Sequence, residues 1–449
     1  MPYSESVLKF LNSHRLEVGD EVQIEAEGMK LDGYILPREE LDLGDPNVLV
    51  LKLKSGYNAG IKTDRISSAK KLTGKVELER FPKLKEIKQD EHLPPISFIS
   101  TGGTISSRVD YSTGGVAMLF SPEEILYGIP ELLGIVRVRT AERVSSLASE
   151  DMRPEQWTAL AERVVKCIGE GDHGVVVLHG TDTLHFTSAA LSFMIKGLGV
   201  PVVLTGAQRS PDRGSRDADL NVLAAARVAA YLPHALVCIA FHSSTSDQSA
   251  FVLRGTRARK MHTSRRDAFR PVNDLPIATV SKEGTIEVLQ HDLKPRSEAA
   301  PWADAVFEEK VSLLSSYPNS EPEIMDHLLD RGYKGFIVSG TGLGHVPTQT
   351  TEGKGSWLPS IRRATEQGAF VGVTSQCIYG RVDPFVYRNG RLLAEAGATF
   401  LSDMLSEVAY VKLGWLLGHN YDLEDVRKMM TFSFAGEISD GDDPSTFLY

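Results

Sequence analysis

Ile96-Ser97-Phe98-Ile99, running directly into Ser100-Thr101-Gly102-Gly103-Thr104, is the stretch on which the fold turns. A short apolar run breaks off into a small, polar, glycine-containing turn. The same pattern recurs at 174–178 before His179-Gly180-Thr181-Asp182-Thr183, at 202–204 before Thr205-Gly206-Ala207-Gln208-Arg209, and at 236–241 before His242-Ser243-Ser244. Helical patterns lie between the runs, among them 154–168, 184–196 and 218–230. Near-continuous apolar strands alternating with helices predict a parallel sheet covered on both faces. Ligands of such sheets bind at the carboxyl ends of the strands, so four successive strands ending in polar or glycine turns predict a site at that edge.

Downstream, a hairpin is expected over 276–288, turning at Glu283-Gly284, and then a polar inter-domain linker over about 290–305. A second α/β segment starts near Val311, with strands at 335–338 and 369–373 and late helices at 408–417 and 423–430. Upstream, the first ~90 residues read differently. Residues 4–14 predict an amphipathic helix with Val7, Phe10 and Leu11 on one stripe. Residues 21–26 and 47–54 alternate as strands, punctuated by Gly28, Gly33, Gly44-Asp45-Pro46 and Gly56, which together suggest a small β-barrel. The charged stretch 70–92, ending at Pro94-Pro95, reads as a solvated linker or surface helix, with a contact for RNA or a partner as the sharper alternative. The expected architecture is an accessory β-barrel domain over 1–90, then two α/β domains over 91–295 and 306–449.

Bulk properties narrow the function. With 449 residues, 42% hydrophobic and 24% charged, the chain has an ordinary soluble globular composition. A formal net charge of −10 makes it a poor candidate for broad nucleic-acid binding, so any nucleic acid is expected to be held partly by another protein. Cys167, Cys238 and Cys377 are odd in number and far apart, which argues against a disulfide framework or zinc ribbon and fits a reducing cytosol. Cys238, in an apolar run, reads as a core thiol. No secretory signal and no membrane-spanning stretch are expected, and a cytoplasmic location follows.

The strand-end turns carry hydroxyls rather than a dinucleotide or phosphate loop. Threonine is a weak nucleophile until a base takes its proton, and a lysine oriented by a carboxylate can be that base. Thr104 and Thr181-Asp182 supply the hydroxyls and the carboxylate, and paired glycines leave backbone N–H groups for an oxyanion. Each motif alone has a plainer reading: a glycine turn for 101–104, a helix cap for 181–183, and a surface lysine for Lys260, read from 254–262 alone. His173, His179 and His185 are spaced by six, without the spacing of a helical zinc pair, and His179 and His185 read as turn and surface residues. There is no P-loop, and Gly340-Thr341-Gly342-Leu343-Gly344 is only a near miss to a dinucleotide fingerprint, so no cofactor or metal is expected in this chain.

Taken in order, TGGTI (101–105), SEDM (149–152), HGTDT (179–183), TGAQR (205–209), Lys260, GTGLGHVP (340–347) and SQCIYGRV (375–382) resemble the bacterial-type L-asparaginases from residue 96 to about 420. The resemblance implies an asparaginase-like two-domain parallel-sheet body. It implies Thr104 as the nucleophile and Thr181, Asp182 and Lys260 as a Thr–Lys–Asp relay. Ser149 and Glu150 would hold the substrate's α-carboxylate and α-amino groups, with Gly103, Gly180, Ala207 and the loop tyrosine Tyr111 also on the substrate side. Glu150 departs from the glutamine of many members, and His345 from a polar amide residue, which leaves the preference between L-glutamine and L-asparagine open. The N-terminal addition, with SRVDY (107–111) and GAQRSPDRGSRDADLN (206–221), resembles one branch, the D subunits of archaeal Glu-tRNA(Gln) amidotransferases. That implies glutamine hydrolysis on a homodimer core. The ammonia would pass to a partner, the E subunit, which holds most of the tRNA(Gln) and uses ATP and Mg. The alternatives are a stand-alone asparaginase or glutaminase, and a silent binding scaffold; the latter predicts loss of one of Thr104, Thr181, Asp182 or Lys260, and all four are present.

Overall fold

The structure is a computed structural model, in which the described residues are 3–37, 45–55, 57–75, 87–102, 107–109, 116–118, 122–209, 215–349 and 354–449. The chain folds as two compact units: Met1–Lys88, Thr104–Pro130 and Ala207–Asp219 form the first, and Gln89–Gly103, Glu131–Gly206 and Leu220–Tyr449 form the second.

In the first unit, helix α1 (Glu5–Ser13) precedes strands β1 (Asp20–Ala26), β2 (Met29–Ile35), β3 (Val48–Leu53), β4 (Asn58–Lys62) and β5 (Ile66–Lys75). They make one antiparallel sheet in the order β4-β3-β2-β1-β5. The small β domain expected from the sequence is present as this five-stranded antiparallel sheet. Alternation places Val22, Ile24 and Ala26 of β1 inward, where Val7 and Leu11 of α1 cover them. The Ser4 hydroxyl caps α1 by accepting the Val7 N–H. The charged stretch expected to begin as linker or surface helix at Lys70 starts inside β5 instead, where Lys71 meets the buried Asp20 carboxylate at 2.6 Å. Pairing with a carboxylate 51 positions upstream is invisible to local charge reading. Residues 76–86 lie outside the described residues. Strands β7 (Ser107–Val109) and β8 (Val116–Met118) form a short antiparallel pair, followed by helix α2 (Pro122–Gly128).

The second unit is built on two sheets. In the larger, β6 (Pro95–Ser100), β9 (Arg137–Arg143), β10 (Val175–Leu178), β12 (Val202–Thr205) and β13 (Val237–His242) run parallel; β14 (Ser249–Arg254), β17 (Ala278–Ser281) and β18 (Ile286–Val288) extend them antiparallel. The order is β18-β17-β14-β13-β12-β10-β6-β9. The chain therefore leaves β6 to one side for β9 and returns to the other side for β10, which makes the carboxyl end of β6 a topological switch point. Between them lie α3 (Pro154–Gly169), α4 (Leu184–Met194) and α5 (Ala218–Tyr231). Two small antiparallel pairs, β11 (Ile195–Lys196) with the sequence-distant β19 (Trp302–Ala303) and the hairpin β15 (Ala258–Lys260) with β16 (Phe269–Pro271), sit outside the main sheet. The polar stretch 290–305 runs between the two sheets and is anchored by β19 and by the Arg296 guanidinium, which donates to the Ala229 carbonyl at 2.7 Å.

The smaller sheet is parallel, with β20 (Val311–Ser315), β21 (Gly335–Gly340), β22 (Phe370–Ser375) and β23 (Thr399–Phe400) in sequence order. Helices α6 (Glu323–Asp330), α7 (Leu358–Glu366) and α8 (Arg388–Glu395) accompany it, and α9 (Ser406–Gly418) and α10 (Leu423–Met430) follow. Helices α4 and α9 are buried nearly all round, as expected of helices without a polar face. They pack on each other, so one hydrophobic core runs continuously from the larger sheet through both helices to the smaller one.

The C-terminal segment closes over α9 through a charge pair with no solvent contact. The Lys412 ammonium meets Glu437 at 2.8 Å, both side chains being 0% exposed, and Glu437 also accepts the Phe434 and Ala435 N–H groups. Burial pushes the Glu437 carboxyl up, but Lys412 and these N–H groups outweigh it and hold the group below its ordinary value. Lys412→Met, which strands the carboxylate, is expected to destabilise the fold by about 3–5 kcal/mol, with part of the loss recovered in Lys412→Met/Glu437→Leu. Because the folded-state pKa is depressed, Glu437's contribution is present above the ordinary carboxylate range and lost as pH falls through the lowered value. Urea unfolding of wild type and the two variants across acid pH checks both expectations.

Candidate active site

The site forms at the switch point, where the loops after β6, β9 and β10 meet. The Thr101 N–H donates to the Leu178 carbonyl, which aligns the ends of β6 and β10. Gly102 has φ +117°, and a side chain there would strike the Leu147 carbonyl, so only glycine suits this turn. Ser145 Oγ donates to the Thr101 carbonyl at 2.7 Å and brings the β9 loop across. That loop ends in a 3-10 turn, Ser149–Asp151, with Ser149 buried and Glu150 exposed. Thr183 Oγ1 donates to the Ser149 carbonyl at 2.6 Å, and a Cβ on Gly180 would lie 2.8 Å from Ser149 Cβ. Ser149 and Glu150 are thus fixed against the turn that carries Thr181 and Asp182.

Lys260, the last residue of β15, enters this turn from another part of the chain. Its Nζ donates to Thr181 Oγ1 at 2.9 Å and to Asp182 Oδ1 at 2.6 Å. The Lys260 side chain is 9% exposed, against 64% for Asp182, so the surface reading of Lys260 taken from 254–262 alone is incorrect. Its neighbours explain the burial: Arg257 is sequestered by the Asp403 carboxylate and the Gly436 carbonyl, contacts more than 140 positions away. An amine held between a hydroxyl and a carboxylate, with little water around it, can exchange a proton with the hydroxyl at short range. Thr104, Gly103 and Tyr111 lie outside the described residues. Ala207 is buried and falls in the first unit, and Gly206 ends the second unit's segment beside Thr181.

Two histidines read from sequence as turn and surface residues are buried: His179 does stand in the turn after β10 but is 0% exposed, and His185, at 7%, is not on the surface. His179 Nδ1 donates to the Gly180 carbonyl at 2.6 Å, which leaves Nε2 to accept from Thr187 Oγ1 at 2.8 Å, while Thr187 accepts from Trp157 Nε1 at 3.0 Å. Burial lowers the His179 pKa to about 4, against the opposing Gly180 hydrogen bond. A neutral imidazole therefore props up the turn from below. Sequence reasoning missed this support because Trp157 and Thr187 read as ordinary helix positions. Cys238 is buried, and burial pushes its thiol up to about 12; Cys167 is buried and Cys377 exposed. Among the described residues no cluster of histidine, cysteine or carboxylate side chains is arranged to hold a metal ion, and no helix is long and apolar enough to cross a membrane.

A hydroxyl, an amine and a carboxylate at a parallel-sheet switch point, ahead of a second parallel α/β sheet, define the fold and site of an asparaginase-type amidohydrolase. The sequence matches the family descriptions "Asparaginase, N-terminal" over 95–294, "Glutaminase/Asparaginase C-terminal domain" over 310–430 and "GatD N-terminal domain" over 16–72. The fold is similar to the thermostable L-asparaginase from Thermococcus kodakarensis, with TM-score 0.68 and 31% identity, covering 77% of this chain and 100% of that one. Over nearly its whole length the chain is 47% identical to the D subunit of glutamyl-tRNA(Gln) amidotransferase from Pyrococcus abyssi (96% of this chain, 97% of the relative). It is 45% identical to the same protein of Pyrococcus horikoshii, again over 96% and 97%. The chain belongs to the family of glutamyl-tRNA(Gln) amidotransferase D subunits.

The close seat of Thr181 rests on Gly206. A Cβ there would lie 2.7 Å from the His179 carbonyl and 2.8 Å from Thr181 Cγ2. Gly206→Ala is expected to destabilise the fold by about 1–3 kcal/mol and, by displacing Thr181, to slow amide hydrolysis about a hundredfold. Thermal unfolding and ammonia release measure the two effects.

Proposed function

We propose that this chain is the glutaminase component of a tRNA-dependent amidotransferase, releasing ammonia from L-glutamine for the conversion of Glu-tRNA(Gln) to Gln-tRNA(Gln) on a partner protein. The observation that carries the reading is the Lys260 amine, hydrogen-bonded to both Thr181 and Asp182 at the switch point. It is supported by near full-length similarity to proteins named as the D subunit of that enzyme.

In this reading Thr104 attacks the amide carbon and forms an acyl-threonine, ammonia leaves, and water hydrolyses the ester. Thr181, Asp182 and Lys260 move the protons, with Lys260 exchanging a proton with Thr181 and Asp182 orienting the amine. Backbone N–H groups near Gly103 and Thr181 hold the developing oxyanion, a type of contact that contributes ~10²–10³-fold, and the general base contributes ~10²–10⁴-fold. Ser149 and Glu150 grip the α-carboxylate and α-amino groups, with Gly180, Ala207 and Tyr111 on the substrate side. ATP and Mg act on the partner, the E subunit, which also holds most of the tRNA. The assembly has a homodimeric core of this chain and works in the cytoplasm.

The test is ammonia release from L-glutamine and from L-asparagine by the chain alone, with the E subunit added, and with the E subunit, ATP and Glu-tRNA(Gln) together. Slow release alone and stimulation by the complete system are expected, and Ala at Thr104, Thr181, Asp182 or Lys260 should lower the rate at least about a hundredfold with the fold retained. Full-rate release by the isolated chain, indifferent to partner and tRNA, would identify a free-standing hydrolase instead.

A further inference from the structure

Behind Lys260 lies a polar cluster that the proposed chemistry does not use. Glu407, in the first turn of α9, is 3% exposed; its Oε1 lies 3.4 Å from Arg259 Nε and 3.7 Å from His185 Nε2. Among the described residues, neither Glu407 Oε1 nor His185 Nδ1 has a hydrogen-bond partner. Burial pushes the Glu407 carboxyl up, more than Arg259 and its own backbone N–H pull it back, and burial, with Arg259, His179 and Lys260, pushes His185 down to about 3 against the pull of Asp182. His185 is thus neutral, and the ionic contact of the cluster is the one between Arg259 and Glu407. A buried carboxylate this incompletely partnered is a poor device for stability.

Its placement suggests another use. Arg259 directly precedes Lys260 in β15, and successive residues of a strand point to opposite sides. Arg259 therefore reaches back to α9, while Lys260 reaches forward to Thr181. His185 is the second residue of α4, which begins directly after Thr181-Asp182-Thr183. One carboxylate, from a helix more than 140 positions beyond Lys260, touches both of the segments whose spacing sets the 2.9 Å contact between Lys260 and Thr181.

We propose that Glu407 is a positioning residue for the Thr181–Lys260 pair, holding β15 through its ion pair with Arg259 while packing against His185 at the start of α4. This rests on the reading of Lys260 as the proton-transferring group. The charged and titratable groups that face Glu407 are Arg259 from β15 and His185 from α4, and the field at His185 includes His179, Lys260 and Asp182.

Glu407→Gln keeps the volume and removes the charge. In steady-state glutamine hydrolysis by the full chain with its partner protein, it should leave the unfolding temperature and KM nearly unchanged and lower kcat about ten- to a hundredfold. Arg259→Met, made in case Glu407→Gln does not fold, should lower kcat similarly, again with KM nearly unchanged. The double variant should lose little more than either single one, since the two groups act as a unit. Lys260→Met is measured alongside. If Lys260→Met is inactive while Glu407→Gln and Arg259→Met keep wild-type kcat, the positioning role alone is wrong. A fall in kcat that only follows a loss of unfolding temperature, or that comes with an equal change in KM, overturns it equally. An active Lys260→Met overturns both this inference and the reading beneath it.

Discussion

The Lys260 ammonium between the Thr181 hydroxyl and the Asp182 carboxylate is the contact around which the second unit is arranged. A lysine in a nearly dry setting is tolerable only with partners of this kind, and each partner needs its own support. Thr181 and Asp182 stand on a turn braced from below by His179 and from the side by Ser149. Lys260 stands on a short hairpin outside the main sheet, and the Arg257 contacts to Asp403 and Gly436 fix that hairpin. Thr181 and Asp182 come from the end of one strand, while Lys260 and the residues that hold the group together are spread from Ser149 to Gly436 within the second unit.

The glycines show the same division of labour. Gly102, Gly180 and Gly206 are not general loosening of the loops, because each occupies a place where a Cβ would hit a specific neighbour: the Leu147 carbonyl, Ser149, or the His179 carbonyl and Thr181. At each of these glycines the backbone lies directly against a neighbouring loop, with no side chain of its own between. Backbone held this way presents N–H groups and carbonyls at fixed positions, which is what stabilising a transient oxyanion requires.

Much of this was legible in the sequence. The strands β6, β10, β12 and β13 announce themselves as apolar runs stopping at glycine or polar turns, because a strand buried on both faces can hold almost nothing else. Helices α3, α5 and α10 begin within a residue of where periodicity and end signals put them. The pairing of Thr181 with Asp182 was visible as adjacency. Lys260 was not readable from its own surroundings, since a run with three arginines looks solvated until Asp403 and the C-terminal segment are in place. The family motifs, rather than local chemistry, singled it out. His179, His185 and Glu407 escaped for the same reason: their partners lie on elements that only the tertiary fold brings together, and a histidine in a turn carries no local mark of burial. The start of the charged stretch at Lys70 was misjudged because a strand edge rich in lysine and a solvated linker have the same composition.

The mutual burial of α4 and α9 has a consequence for how the chain comes into being. About 210 residues separate Met194 at the end of one helix from Ser406 at the start of the other. At ribosomal speeds of roughly 5–20 residues per second, α4 waits about 10–40 s for the surface that covers it. Once β18 has been made, the side of α4 that α9 will cover stays open beside an otherwise assembled sheet for the rest of that interval. A nascent chain of this kind is a natural client for chaperones, and any pause in translation between the two helices lengthens the period in which it can aggregate.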